Sequence, residues 1–222
     1  RKNTVIYCIT GVILILALGL LISGLLNYNR LRGKAFFKSA TYLPNICAVI
    51  AMGIIFSMLF EKNTGLINEV IFAMGGNKVD WLTGTRFSKI PVIALNVWRN
   101  TPWFTMILLS GLLNISPEYY EAAKVDGANA FQRFFKITLP SLSNVMFFCF
   151  ITLTADSWKI FNEPFMLQGP GTSNVSLFQY MYESGFNVFK LGYASSIGCM
   201  LTLILLIVSV IQFIIRMKQG EV

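Results

Sequence analysis

The stretch TVIYCITGVILILALGLLISGLL, residues 4–26, runs for 23 residues without a charge. An α-helix needs about 20 apolar residues to cross the hydrocarbon core of a bilayer. Thr4–Leu26 is therefore expected to be a membrane span, and four further segments repeat the signal. Ser39–Phe60 and Leu191–Ile215 are also uncharged, whereas Ile90–Leu113 is interrupted by Arg99 and Pro102. Leu142–Asn162 is apolar in its first half and polar in its second. These five segments predict an all-α membrane protein, a polytopic helical bundle, with 1–222 as a single transmembrane domain.

Composition points the same way. Of the 222 residues 55% are hydrophobic and 13% charged, against about 25% charged in a soluble domain. The absence of histidine excludes histidine metal sites and histidine general bases, and no metal site is expected. The net charge of +8 reads as orientation signal and lipid headgroup contact, not as nucleic-acid binding. Cys8, Cys47, Cys149 and Cys199 lie far apart inside apolar runs and read as small buried hydrophobes. The chain opens at Arg1 without an initiator Met or a signal-peptide pattern, which is the expectation for a longer protein with a sixth, N-terminal span before Arg1.

Orientation follows from the loop between the first two spans. It holds Arg30, Arg32, Lys34 and Lys38 and no acid, so it is placed in the cytoplasm. Alternation then puts Glu61–Lys89 and Glu163–Lys190 outside and Asn114–Ser143 inside. Arg1 and Lys2 fall outside, against the rule, and an earlier span would account for this. In the first outer loop, residues 65–72 read as a short surface helix ended by Gly75-Gly76, and Gln168-Gly169-Pro170-Gly171 reads as a turn.

The long inner loop reads NISPEYYEAAKVDGANAFQRFFKITLPS from Asn114. Ser116 is placed to cap a helix, Pro117 fits its first position, and Glu118 and Glu121 face its positive end. Gly127 supplies a left-handed break. Asn129 can cap a second short helix through Phe131, Phe134 and Phe135, and Pro140 stops it. Ala122 and Ala123 would let a partner surface approach closely, Glu121 offers it a charge, and the phenylalanines offer a stripe to fill a groove.

Glu121-Ala122-Ala123, three residues, Gly127, nine residues, Ile137-Thr138-Leu139-Pro140 resembles the EAA loop of importer permeases of the ATP-binding-cassette (ABC) superfamily, with both spacings kept. Further words are similar to the sugar-type permeases, on the side of the larger maltose permease subunit: Leu31-Arg32-Gly33, Tyr42-Leu43-Pro44, Gly65-Leu66-Ile67-Asn68, Asp80-Trp81-Leu82, Val97-Trp98 and Leu167-Gln168-Gly169-Pro170. The resemblance implies the type I importer permease fold and a multi-pass protein of the cell membrane. It makes loop 114–143, through Glu121, Ala122, Ala123, Gly127, Ile137 and Pro140, the element that couples to a cytoplasmic ATPase. It also implies the partners: a second permease, two ATPase subunits and an extracytoplasmic solute-binding protein. ATP-Mg would be consumed in the ATPase subunits, leaving this chain without a cofactor, in keeping with the lack of a GxxxxGK[ST] phosphate loop.

Ionisable groups within spans usually line a cavity. Asp156 and Lys159 share a helix face, which Thr152 and Glu163 extend. They read either as a bridge that fixes packing or as the wall of a translocation path. Trp158 reads as a platform for a sugar ring or as an interfacial anchor, with Asn162 beside it. On the third span Asn96, Trp98, Arg99, Asn100 and Thr101 precede Pro102, which kinks a helix and frees a carbonyl. Such a segment is where a transporter builds a site, although Arg99 could instead snorkel to the outer headgroups. Gly19 with Ser23, and Ser195 with Cys199, are spaced for close helix packing.

The expected function is one half of an ABC importer's path for a sugar or oligosaccharide. The alternative cargo is another solute such as glycerol-3-phosphate, which the lack of an Arg or Lys cluster in the spans disfavours. A passive channel would not need the EAA spacing. An intramembrane enzyme would pair Asp156 with Glu163, about 10 Å apart on a helix, too far for a tight dyad.

Overall fold

A computed structural model describes residues 2–28 and 33–218. Arg1, Arg30, Leu31 and Arg32 lie outside the described residues, so of the basic loop only Lys34 and Lys38 are placed. In chain order the helices are α1 (Lys2–Asn27), α2 (Lys34–Ile46), α3 (Val49–Leu59), α4 (Leu66–Ala73), α5 (Lys89–Leu113), α6 (Pro117–Val125), α7 (Ala130–Arg133), α8 (Leu139–Ser141), α9 (Ser143–Trp158), α10 (Asn162–Met166), α11 (Leu177–Tyr182) and α12 (Leu191–Lys218). Two π-helical turns, Phe134–Thr138 and Glu183–Asn187, join α7 to α8 and extend α11.

Helices α1 and α12 are each long and apolar enough to cross a bilayer. The 25-residue α5 rises about 37 Å and is long enough too, although Asn96, Arg99 and Asn100 make it more polar. The other two expected spans are not straight. Ser39–Phe60 is divided into α2 and α3, which meet at 92°. Pro44 cannot donate to the helix ladder and crowds the preceding turn, and Cys47 and Ala48 are extended. At its inner end α9 meets the α7–α8 arm at 67°, and its own helix stops at Trp158, four residues short of the expected end.

The centre of the bundle is α1 against α5 and α9. Val12 and Ile15 interlock there with Val97, Phe104, Leu108, Cys149 and Leu153. A Cβ on Gly19 would stand 3.3 Å from Leu108 and 3.6 Å from the Thr105 amide, so glycine permits the close α1–α5 approach. Ser23, also buried, hydrogen-bonds back to Leu20. The second small-residue pair does not behave this way. Ser195 and Cys199 both face out of the chain, and α12 packs through Ala194, Ile197 and Leu201 instead. Against the reading of all four cysteines as buried, Cys149 is buried, Cys8 and Cys47 are half-buried and Cys199 is exposed.

Much of α12 faces away from the rest of the chain. Lower down, polar contacts hold it. Gln212 Nε2 donates to Thr154 Oγ1 at 3.1 Å, and Arg216 Nη2 donates to Asn144 Oδ1 at 2.7 Å and to Ser143 Oγ at 3.2 Å. In lipid such interhelical hydrogen bonds replace the hydrophobic drive that water provides.

The outer loops are ordered by buried asparagines. Asn68, fully buried on α4, donates to the carbonyls of Glu61, Lys62 and Val79 and accepts from the Val79 amide and Trp81 Nε1. Asn174 similarly accepts from the Gly169 amide and donates to the carbonyls of Ser88 and Leu167. Tyr7 Oη donates to the Asn174 carbonyl at 2.7 Å, and Thr4 Oγ1 accepts the Leu177 amide. These bonds fasten the 168–177 loop to the outer end of α1. Backbone and side-chain bonds from Thr64 hold the Glu61 carboxyl below its ordinary range, and the Thr83 hydroxyl does the same for Asp80. Both turns therefore keep this support at neutral pH and lose it as the pH falls below the ordinary carboxylate range.

Replacement of Asn68 by Ala strands several buried partners. It is expected to lower stability by about 1–3 kcal/mol per unpaired group. A fall of several degrees in the thermal midpoint of the nanodisc-embedded protein would register it; an unchanged midpoint would refute the hub.

Candidate functional site

Two interruptions of regular helix face the middle of α5. The α2–α3 bend brings Asn45, whose Nδ2 donates to the Arg99 carbonyl at 3.4 Å. α9 ends at Trp158 with Lys159 as its cap, and α10 begins after the non-helical Ile160 and Phe161. α3 lies against α10 so closely that a Cβ on Gly53 would stand 2.6 Å from the Met166 Cβ. α5 itself is not broken: it runs through Pro102 as one helix. Side chains cover the carbonyls around the proline, with Asn100 Nδ2 on Asn96 O and Thr101 Oγ1 on Val97 O. The carbonyl that Pro102 itself frees is that of Trp98, four residues earlier.

Between these elements lies a cavity of about 190 Å³. Its wall includes Asn96, Arg99 and Asn100 from α5, Asp156, Ser157 and Lys159 from the end of α9, and Phe161, Asn162 and Glu163 beyond it. Arg99 Nη1 donates to Glu163 Oε1 at 3.0 Å, with Glu163 only 5% exposed and Arg99 25%. Lys159 Nζ meets Asp156 Oδ1 at 3.3 Å in a more open position. Each cation in the wall thus has its own anion. Two further polar atoms, Arg99 Nε and Ser157 Oγ, are buried without a hydrogen-bond partner among the described residues. Behind Ser157 the α1 backbone comes close at Gly11, where a Cβ would stand 3.1 Å from Asn96 Nδ2 and 3.6 Å from Ser157 Oγ.

Of the expected path residues, Asn96, Arg99, Asp156, Lys159 and Asn162 converge on this cavity. Trp98, Thr152 and Trp158 are not part of its wall. Trp98 packs against Phe56 with ring centroids 5.6 Å apart and tilted, Trp158 packs on the Leu177–Ile197–Leu201 cluster, and the Thr152 hydroxyl bonds back to Phe148 O of its own helix. The shared face of Thr152, Asp156, Lys159 and Glu163 is corrected: the helix stops at Trp158, and Glu163 reaches the cavity from α10. Arg99 does not snorkel, because Glu163 holds it inward. Sequence reasoning missed Ser157 and the Arg99–Glu163 pairing; the available signal was that a lone intramembrane Arg calls for an intramembrane acid.

At the inner end the loop has the expected two helices and pivot. Ser116 Oγ accepts the Glu118 amide at 3.4 Å with Pro117 at the first position. α6 closes in a Schellman motif: Ala128 N reaches Ala123 O at 2.8 Å and Gly127 N reaches Lys124 O at 3.1 Å, with Gly127 at φ 76. Asn129 and Gln132 form a reciprocal capping box. Tyr120 Oη and Thr138 Oγ1 are 2.9 Å apart, tying the two arms together. Glu121, Ala122 and Pro140 are exposed, whereas Ala123 and Ile137 are half-buried. Phe131 and Phe135 stand outward with rings 4.4 Å apart. Phe134 departs from the expected stripe and turns toward a pocket under the end of α1.

Changing Arg99 to Met leaves the Glu163 carboxylate buried without its cation. A destabilisation of about 3 kcal/mol is expected, with the R99M/E163M double variant clearly less affected than the single. Thermal midpoints of the four proteins of this cycle give the coupling, and additivity would exclude it.

The sequence profile of the family described as "Binding-protein-dependent transport system inner membrane component" matches residues 7–219. The arabinooligosaccharides transport system permease protein AraP of Bacillus subtilis (strain 168) is 31% identical over 214 residues, 95% of this chain and 68% of that protein. The trehalose/maltose transport system permease protein MalF of Thermococcus litoralis is 33% identical over 224 residues, 98% of this chain and 72% of that one. In fold, the chain is similar to one from a bacterial alginate ABC transporter in complex with alginate pentasaccharide-bound periplasmic protein, with a TM-score of 0.84 at 20% identity, covering 100% of this chain and 78% of the other. It is also similar to one from the inward-facing MetNI methionine ABC transporter, at 0.62 and 17%, covering 99% and 93%. Such a permease is not itself an enzyme, and it works with a separate ATPase and a solute-binding protein. The chain belongs to the family of binding-protein-dependent transport system inner membrane components, as an ABC importer permease of the type I fold.

Proposed function

We propose that the chain lines one half of a translocation path for a neutral di- or oligosaccharide, with a second, similar permease forming the other half. The observation that carries this reading is the pairing of charge in the α5–α9–α10 cavity. Arg99 is matched by Glu163 and Lys159 by Asp156, so the wall offers hydrogen-bonding groups but little net charge. Ser157 Oγ and the spare Arg99 Nε are the kind of unsatisfied buried atoms that sugar hydroxyls can complete. Phe161 adds an aromatic face at the same place. The names of the relatives, which concern arabinooligosaccharides, lactose and trehalose/maltose, agree with this cargo.

In this reading loop 114–143 docks on a cytoplasmic ATPase, where ATP-Mg is bound and hydrolysed, and this chain holds no cofactor. Glu121 and the Ala122–Ala123 surface meet the partner, and Phe131 and Phe135 fill its groove. The Schellman turn, the capping box and the Tyr120–Thr138 contact make the loop stiff enough to pass a rigid-body push into α5 and α9.

Two measurements test the proposal in proteoliposomes holding the full assembly. Uptake of radiolabelled neutral oligosaccharides should exceed that of glycerol-3-phosphate or a uronate oligomer, and the reverse preference would sink the cargo assignment. Glu121→Ala with Gly127→Val, the latter strained by about 1–2 kcal/mol in the left-handed region, should abolish both uptake and substrate-stimulated ATP hydrolysis while the permease still reaches the membrane. Retention of both activities would remove the coupling role.

A further inference from the structure

The outer end of α12 begins on a knuckle of large apolar side chains. Phe186, Val188, Phe189 and Leu191 are all exposed, Phe189 at 80%, and Lys190 stands exposed among them. The knuckle is not a loose loop. Val188 N bonds to Glu183 O at 3.0 Å and Lys190 N to Ser184 O at 2.9 Å. The π turn beneath it is pressed on α12, where a Cβ on Gly185 would meet Ala194 Cβ at 3.1 Å. The Phe186 ring rests 4.9 Å from that of Tyr182. Phe189 has φ 58, the one positive value outside glycine among the described residues. A bulky residue is strained there, and strain of this kind persists where the surroundings impose it and a function uses it. The fold thus holds four apolar side chains outward on a stiff support.

Depth points to the occupant. The 28 residues of α12 rise about 42 Å, against a hydrocarbon core of about 30 Å and about 40–45 Å with headgroups. With Arg216 and Lys218 at the inner headgroups, Leu191 emerges within the outer headgroup layer. The apolar face continues down α12 through Leu203, Leu206 and Val210, all exposed. Tyr180 and Tyr193, edge to face at 6.3 Å, are side chains suited to the same level. A cation flanked by aromatic and aliphatic groups fits a phosphate above acyl chains.

We propose that Phe186–Leu191 is a lipid-binding knuckle: its apolar side chains enter the outer leaflet at the headgroup boundary, Lys190 meets a lipid phosphate, and the contact sets the depth of α12. The test replaces Phe189 by the photo-crosslinker p-benzoylphenylalanine in the complete transporter. The variant is irradiated in nanodiscs of phosphatidylethanolamine and phosphatidylglycerol, with and without the solute-binding protein, and its peptides are weighed by mass spectrometry. Lipid adducts on the 186–191 peptide, unchanged by the binding protein, are expected. Adducts to the binding protein or to the second permease would overturn the proposal, as would none at all from an assembly that still transports. Adding Lys190→Gln should lower the phosphatidylglycerol share of the adducts by up to about five-fold, the enrichment that one lysine near the surface confers. An unchanged share would overturn the role of Lys190.

Discussion

The ion pair between Arg99 and Glu163 is the constraint around which the middle of the bundle is arranged. A charge in the interior of a membrane protein is tolerated only when it is paired or wetted. Here the pair does both: it bridges two elements and forms part of a cavity wall. Because Glu163 is held by Arg99, the chain after α9 must turn back toward α5, which is where helix gives way to the short α10. Placed there, α10 packs against α3 at Gly53, just after the bend that Pro44 introduces between α2 and α3. Asn45 completes the arrangement by binding the Arg99 carbonyl. One residue of α5 thus touches a helix end, a helix bend and a cavity.

Much of this architecture can be read from the sequence, because its determinants are local. Uncharged runs located α1 and α12. Ser116-Pro117, Gly127 and Asn129 located both helices of the inner loop, since caps and left-handed glycines act within a few residues. What escaped depends on long-range pairing. Arg99 and Glu163 are 64 residues apart, and no periodicity joins them. The bend at Cys47–Ala48 had a local cause in Pro44, but the uninterrupted hydrophobicity of residues 39–60 concealed it. The opposite error arose at Pro102, through which α5 continues as one helix. Phe134 was grouped with Phe131 and Phe135 because a π turn, which shifts the rotation of the following residues, leaves no clear mark in composition.

The two ends of the molecule use opposite means to become stiff. At the inner end, turn chemistry suffices: a Schellman closure, a capping box and one hydroxyl contact make a compact projecting unit. At the outer end, two buried asparagines act as hubs for backbone groups of loops that have no ladder of their own. Between them the cavity lies where helix gives way between α9 and α10. A stiff frame around a waist where helix breaks is a sensible distribution in a permease, since motion there need not unravel either end.

The polar clips on α12 bear on how the protein is made. Gln212 and Arg216 reach Thr154, Asn144 and Ser143 on α9, while most of the surface of α12 is as apolar as lipid. A helix of that character can leave the insertion machinery and reside in the bilayer alone, without first finding its neighbours. Its rotation and height are then selected by a few hydrogen bonds made near its trailing, inner end. The clips can close only after α9 has reached its proper place, so the docking of α12 depends on the helices that precede it.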